Sequence, residues 1–246
     1  MKTNEILENI KARRSVRAYT GQQVSEEDLQ AVLEAATYAP SGMHLETWHF
    51  TAIQNADKLT ELNERIKGAF AKSDEPRLKE RGQSKTYCCY YHAPTLVIVS
   101  NEPTQWWAGM DCACAIENMF LAAHSLGIGS CWINQLGTTC DDPEVRAFIT
   151  SLGVPENHKV YGCVALGYAD SKIPMKEEKG ERRYDNYCQV GISEYISPGY
   201  ISIMPGTFVC LALGRKVKSP GFIEIIPEHN KCKPRDCFIS FSSLYL

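Results

Sequence analysis

Apolar residues recur every three or four positions in several stretches of the chain, the spacing that lines one face of a helix. The clearest stretch opens with the capping-box pair Ser25 and Asp28, and Pro40 ends it. Its apolar stripe consists of Leu29, Val32, Leu33 and Ala36. A shorter stripe near the N-terminus, with Thr3 as its expected cap, consists of Ile6, Leu7 and Ile10.

Three further stretches predict helices. Residues 57–70 place apolar side chains on one helical face, and residues 142–153 begin with the cap Asp142 and end at Gly153. Residues 106–127 are apolar around most of the helical circumference and end at Gly127. We therefore expect the segment 106–127 to be a central, buried helix.

Four short runs rich in β-branched and aromatic residues predict strands, at residues 48–54, 93–101, 129–136 and 159–168. Helices and strands thus alternate up to Tyr168, and alternation alone favours a parallel sheet. The charged segment 72–85 contains a glycine and no clear stripe, and we expect it to be a mobile loop in the position of a lid.

The pattern changes near Cys188. From there to residue 246 the chain carries Pro-Gly turns and short β-type runs, with no amphipathic helix. We therefore divide the chain into a first domain over 1–187 and an unassigned extension over 188–246. The extension is either a small appended β segment or a non-native addition.

Composition narrows the class of protein. The chain has 246 residues, 44% of them hydrophobic, which suits one globular domain or two. The formal charge of −3 provides no overall attraction to nucleic acid or anionic lipid. No long apolar run and no signal-peptide core occurs, so the expected compartment is the cytoplasm. The 11 cysteines lack any Cys-x-x-Cys spacing, which favours buried thiols over a metal site.

Several catalytic motifs are absent or incomplete. The stretch "GIGSCW" (127–132) has Trp132 where a dinucleotide fingerprint needs its third glycine, and it runs from helix to strand. The stretch "HLETWH" (44–49) has the wrong order for a zinc-protease helix and enters a predicted strand. Ser41 lacks both a nucleophile elbow and an identifiable base. These patterns disfavour a dinucleotide-binding motif, a metal centre and a serine hydrolase.

Two groups of arginines remain as candidates for a binding site. "RRSVR" spans residues 13–17, and "ERR" spans residues 181–183. Basic residues at a helix C-terminus are often simply solvated there. Alternatively, the two groups converge on one phosphate, which guanidinium groups bind well.

Three stretches together resemble the FMN-dependent nitroreductase family. They are residues 13–50, which include "RRSVR" and "APSG" before a tryptophan, residues 118–136, which include "LGIGSCW", and the late "ERR". The resemblance extends over residues 5–187. It implies an α+β fold, with a central, mostly antiparallel sheet flanked by helices, in an intertwined homodimer that binds two FMN molecules at its interface.

The resemblance also implies roles for particular residues. The first basic segment is expected to hold the FMN phosphate and ribityl chain, and the late arginines to complete the phosphate clamp. The Ser-Gly loop is expected to reach the flavin bound mainly by the other subunit, and the residues after the "GSC" strand are expected beside the isoalloxazine. The expected FMN-binding residues are Arg13, Arg14, Ser15, Arg17, Pro40, Ser41, Gly42, Met43, His44, Thr86, Trp132, Ile133, Asn134, Gln135, Arg182 and Arg183.

The chain departs from the family pattern at three positions in or next to the expected site. His44 stands where asparagine is usual, Glu46 where glutamine is usual, and Thr86 where a flavin-contacting asparagine is common. These changes alter hydrogen-bonding capacity, and Glu46 adds a negative charge. We therefore expect a flavin affinity or potential that differs from the family norm.

The function implied is a cytoplasmic oxidoreductase that uses FMN. It takes hydride from NAD(P)H and passes electrons to nitroaromatics, quinones or a similar small conjugated acceptor, by a ping-pong mechanism without a dedicated catalytic side chain. Two alternatives stay open: another reaction on the same scaffold, such as reductive dehalogenation, and a non-catalytic FMN-binding module.

Overall fold

A computed structural model of the chain describes residues 3–172. Its four strands are β1 (His49–Ile53), β2 (Thr95–Asn101), β3 (Gly129–Ile133) and β4 (Lys159–Gly167). They form one sheet in the order β1-β2-β4-β3, and every neighbouring pair is antiparallel. The antiparallel α+β fold is therefore confirmed. The prediction of a parallel sheet from the alternation of helices and strands was wrong. Alternation along the chain does not determine the direction of neighbouring strands.

Within residues 3–172, seven α-helices accompany this sheet: α1 (Glu5–Ala12), α2 (Glu26–Thr37), α3 (Ala56–Ala71), α4 (Pro76–Gln83), α5 (Ala108–Ser125), α6 (Gln135–Thr139) and α7 (Pro143–Ser151). Two predicted caps are confirmed. The Ser25 hydroxyl accepts a hydrogen bond from the Asp28 N–H at the start of α2, and Asp142 accepts from two N–H groups at the start of α7.

The sheet separates two apolar layers. All seven residues of β2 are buried, and they alternate between the faces. Leu96 and Ile98 pack with α3, α6 and α7, whereas Val97 and Val99 pack with α2 and α5. The expectation of a central, buried α5 is confirmed, since eight of its residues are buried. This core fixes the end of β3, where the expected site residues Trp132 and Ile133 lie.

The cysteines in the described part are mostly core residues. Five of the seven are buried: Cys89, Cys112, Cys131, Cys140 and Cys163. This confirms the expectation of buried thiols for most of them. Among residues 3–172, no helix has the length and apolar character needed to cross a bilayer.

The predicted mobile loop at 72–85 is wrong in its centre, where α4 forms. Pro76 occupies the first turn, and the helix packs against α3 although none of its own residues is buried. A charged helix with no apolar stripe lacks the periodic signal on which the prediction depended.

Other element ends also differ from prediction. Asn4, not Thr3, caps α1, because its side chain accepts from the Leu7 N–H. The third strand ends at Ile133, and Gln135 already begins α6. The predictions for residues 188–246, including the domain boundary at 187, lie outside the described residues.

Candidate functional site

The basic segment after α1 is fixed against the start of β3. The Val16 N–H donates to the Ser130 carbonyl at 2.9 Å, and Ser15 forms a parallel bridge with Ser130. A Cβ on Gly129 would lie 2.7 Å from Val16 Cγ2, so a glycine permits this approach. The sequence therefore brings residues 13–17 beside β3, two elements that are far apart along the chain.

Two of the three arginines lie over aromatic rings near β3. The Arg13 guanidinium lies 5.4 Å from the Phe120 ring centroid, and its Nε lies 3.8 Å from Glu117 Oε1. The Arg17 guanidinium lies 5.9 Å from the Tyr91 centroid. Cation–π contacts of this kind hold a guanidinium in place while leaving its N–H edges available.

Arg14 contacts the end of α1. Its Nη1 donates to the Lys11 carbonyl at 2.5 Å and to the Arg13 carbonyl at 2.8 Å. Such a contact satisfies helix C-terminal carbonyls. It corresponds to the simpler interpretation of the basic cluster, a cation at a helix end, and does not exclude a phosphate ligand.

The electrostatics near β3 reflect these cations. Burial raises the pKa of the Cys131 thiol, and the positive charges of Arg17 and Arg13 oppose that rise. Burial also raises the pKa of Tyr19 strongly, and its hydroxyl donates to the Val16 carbonyl at 2.7 Å. The positive charges of Arg13 and Arg17 therefore influence a buried thiol at the start of β3.

The residues that follow β3 present polar groups. The Trp132 indole N–H donates to Asn134 Oδ1, and Gln135 Nε2 donates to the Tyr87 hydroxyl at 3.2 Å. Ile133 is 2% exposed, so its side chain belongs to the core and only its backbone is suited to a ligand. Within residues 3–172, the buried atoms Gln135 Oε1 and Ser130 Oγ have no hydrogen-bond partner.

The Ser-Gly loop is anchored to the start of α5. The Gly42 N–H donates to Asp111 Oδ1 at 3.0 Å, and a Cβ on Gly42 would overlap the Trp107 indole. Past Pro40, the Met43 and His44 side chains project outward, with His44 Nε2 3.6 Å from Glu46 Oε1.

Within one chain, the loop and the basic segment contact different parts of α5. The loop contacts Asp111, whereas Arg13 contacts Glu117 and Phe120, which lie about 9 Å and about 14 Å further along a helix that rises about 1.5 Å per residue. Thr86 is exposed and adjoins Tyr87, which Gln135 contacts. Arg182 and Arg183 lie outside the described residues.

Four residues that contact the expected site residues were not predicted as part of the site. Phe120 was expected only as part of the buried helix 106–127, and Tyr87, Tyr91 and Asp111 were not singled out. A carboxylate in an otherwise apolar helix was the one available signal for Asp111.

Comparison with known proteins shows which family has this architecture. The family model described as "Nitroreductase family" matches residues 10–168. A putative NADH dehydrogenase/NAD(P)H nitroreductase of Archaeoglobus fulgidus is 36% identical over 164 residues, which cover 67% of this chain and 85% of the relative.

Two solved structures are also similar to the chain. A Bacteroides fragilis nitroreductase with bound FMN is 74% identical, with a TM-score of 0.74, and the match covers 76% of this chain and all of that one. A Desulfitobacterium hafniense nitroreductase with bound FMN is 28% identical, with a TM-score of 0.68, over 77% of this chain and all of that one. The family resemblance is confirmed: this chain belongs to the nitroreductase family.

Proposed function

We propose that this chain binds FMN and transfers reducing equivalents from NAD(P)H to nitroaromatics, quinones or a similar small conjugated acceptor. One observation carries the proposal. The segment 13–17 is fixed against the start of β3, which brings guanidinium groups and a buried polar strand end into one region. In a nitroreductase-family oxidoreductase, these groups match the anionic and polar parts of a flavin nucleotide.

The residues present fit such a cofactor. Ser130 Oγ and Gln135 Oε1, together with Thr51 Oγ1 on β1, are the buried side-chain polar atoms without a partner in residues 3–172, whereas most buried polar atoms in proteins have one. Hydroxyl and ring-edge groups of FMN offer partners of this kind. Arg13, Arg14, Ser15 and Arg17 would hold the phosphate end, and Arg182 and Arg183 are proposed to complete its clamp.

The other end of the site would receive the ring. The backbone from Trp132 to Gln135 would line the isoalloxazine, and Thr86 would approach it from the segment that adjoins Tyr87. Residues 40–44 would approach a flavin bound mainly by the other subunit. Glu46 would add a negative charge to the loop side of the site.

The chemistry that FMN supplies when bound is acceptance of hydride from NAD(P)H and delivery of electrons to the acceptor. The chain's part is to bind and orient, since none of the proposed site residues is required as a general acid when water provides the protons. The donor and the acceptor would occupy the same surface in turn, which gives ping-pong kinetics.

We further propose that the chain is a homodimer. Large apolar side chains are exposed around the Ser-Gly loop and the start of α5, among them Tyr38 (78%), Met43 (80%) and Trp106 (78%). Several large apolar side chains exposed near one loop favour an interface there. A second copy would cover it and bring the loop to the flavin site.

The test is reconstitution with FMN followed by anaerobic assay. The purified protein should hold FMN through desalting and show a two-band oxidised flavin spectrum. It should then oxidise NAD(P)H when a quinone or nitroaromatic is added. Protein that stays colourless after incubation with FMN would refute the proposal, and FMN binding without NAD(P)H oxidation would indicate a binding module. Turnover only with halogenated acceptors would indicate dehalogenation.

A further inference from the structure

We infer that Asp111 is a positioning residue for the loop of residues 41–46, and that its carboxylate thereby controls how tightly the chain binds FMN. The inference rests on the proposed function, because it assumes that this loop reaches a flavin. Asp111 is not expected to contact the flavin. It acts through the backbone of Gly42.

The loop has a conformation that needs external support. Met43, His44 and Glu46 have φ angles of 56°, 56° and 51°, in the left-handed region that side-chain-bearing residues rarely adopt. Three such residues within four positions make the segment unfavourable in isolation. A conformation of this kind persists only where surrounding contacts determine it.

Two backbone hydrogen bonds close the loop itself, from the His44 N–H to the Ser41 carbonyl and from the Leu45 N–H to the Gly42 carbonyl, and two side-chain hydrogen bonds and one aromatic contact add to them. Inside the loop, the Glu46 N–H donates to Ser41 Oγ at 2.9 Å. From outside, Asp111 Oδ1 accepts from the Gly42 N–H at 3.0 Å, and the Trp107 indole fills the space beside Gly42. The Asp111 anchor joins the strained loop to the buried helix α5.

Asp111 is well suited to this task. It is 7% exposed and lies in the first turn of α5, where the helix dipole favours a negative charge. A hydrogen bond from an N–H to a buried carboxylate is stronger than one between neutral groups. Loss of this acceptor would leave the Gly42 N–H without its Asp111 bond and allow the loop to relax, so FMN would meet a less organised surface.

The experiment compares substitutions at Asp111 by titrating FMN into the apoprotein and following flavin fluorescence. Asp111→Ala should raise the FMN dissociation constant about 5- to 20-fold, the effect of losing one charge-assisted hydrogen bond in part. Asp111→Asn keeps a neutral acceptor at the same position, so its FMN dissociation constant should lie between those of the wild type and Asp111→Ala. Hydrogen exchange at the Gly42 amide should be faster in Asp111→Ala than in the wild type.

A matched control lies on the same helix. Asn118 Nδ2 donates to the Ala35 carbonyl at 3.0 Å, so Asn118→Ala also removes one hydrogen bond from α5 but leaves the loop untouched. Its FMN affinity should not change. Asp111→Asn that binds FMN as weakly as Asp111→Ala would overturn the inference, since the charge at the helix start would then be what matters. Unchanged affinity in Asp111→Ala would also overturn it.

Three further outcomes also bear on the role of Asp111. If Asp111→Ala does not fold, Asp111→Ser provides a side chain too short to reach Gly42, and the same loss of affinity is expected. A Gly42 amide that exchanges as fast as an unprotected peptide in the wild type would remove the basis of the inference. If the wild type binds no FMN, the proposed function fails, while the exchange comparison still tests the anchor alone.

Discussion

Arg14 is the residue at which the two interpretations of the basic cluster meet, because its guanidinium contacts carbonyls at the end of α1 and lies in the proposed phosphate site. We predict that Arg14→Ala weakens FMN binding about 10- to 150-fold. The change removes a charge-assisted hydrogen bond worth roughly 1.5–3 kcal/mol at a point remote from the reacting ring. Turnover at saturating FMN should change little.

The control for Arg14 is Arg65→Ala. Like Arg14, Arg65 donates a hydrogen bond to a backbone carbonyl, that of Glu144, but it is on α3, in the layer on the opposite face of the sheet from α5. Its FMN dissociation constant should match the wild type. Normal flavin affinity with reduced turnover in Arg14→Ala would place Arg14 at the substrate and contradict the proposed site.

We predict that His158 makes folding sensitive to acid. Its Nδ1 lies 3.2 Å from the buried Ser100 hydroxyl, and burial, followed by the nearby His49, lowers its pKa, while Glu102 opposes this. The unfolded chain therefore binds this proton more readily than the folded chain. The associated stability is present above the ordinary histidine pKa of about 6.5 and is lost as the pH falls through the lower folded value.

Urea unfolding of the apoprotein at pH 8 and pH 5 checks the His158 prediction. The wild type should lose more stability between these values than His158→Gln, by at most about 1.4 kcal/mol per pH unit for one proton. Equal losses in the two proteins would show that this histidine is not responsible.

At the scale of elements, the packing of α4 on α3 predicts opposite effects on stability for two glycine-to-alanine substitutions. A Cβ on Gly82 would lie 2.5 Å from the Ala71 amide nitrogen, whereas one on Gly68 would meet nothing within 4 Å. Glycine to alanine in an open helix stabilises by about 0.5–1 kcal/mol. Gly68→Ala should therefore raise the melting temperature, and Gly82→Ala should lower it because backbone must move.

We expect Gly82→Ala to disturb Tyr87 as well as to lower the stability of the protein. Arg81 lies over the Tyr87 ring, which is in contact with Gln135, so displacement of α4 is expected to disturb that contact. Thermal unfolding of both variants, with FMN titration, checks this. A Gly82→Ala protein as stable as Gly68→Ala would show that α4 is not closely packed.

Elements with a cap and an apolar stripe were predictable from sequence, and α2 and α7 were correct at their N-termini because Ser25 and Asp142 are strong local signals. Helix α4 has no apolar stripe and was missed. The left-handed residues Met43 and His44, and the bond from Gly42 to Asp111, were also beyond prediction. Tertiary contacts, not local preference, determine that loop.

For the whole chain, we predict that the segment after Tyr187 is dispensable for FMN binding, because the stretches that carry the family resemblance lie before it. Truncation after residue 187 should leave the FMN dissociation constant within about twofold. A second truncation, after Lys172, also removes Arg182 and Arg183 and should bind FMN about 10-fold or more weakly if they complete the phosphate clamp. Loss of FMN from a folded 1–187 protein would show that the extension supplies part of the site.

Oligomeric state is the property on which the proposed site depends most, because the loop and the basic segment contact different parts of α5. Light scattering should give twice the chain mass, with or without FMN. Met110 is 56% exposed on α5 near Trp106. Met110→Lys should weaken the dimer, because a charge would have to be desolvated in an apolar interface.

Thr150→Lys is the control for Met110→Lys, since it adds the same charge to an exposed position on α7, on the other face of the sheet. It should stay dimeric and keep its FMN. If the loop reaches the flavin of a second chain, Met110→Lys should lose dimer and FMN affinity together as the protein is diluted. A monomer that holds FMN as tightly as the wild type would mean that one chain builds the whole site, and the assignment of residues 40–44 to the neighbouring flavin would be wrong.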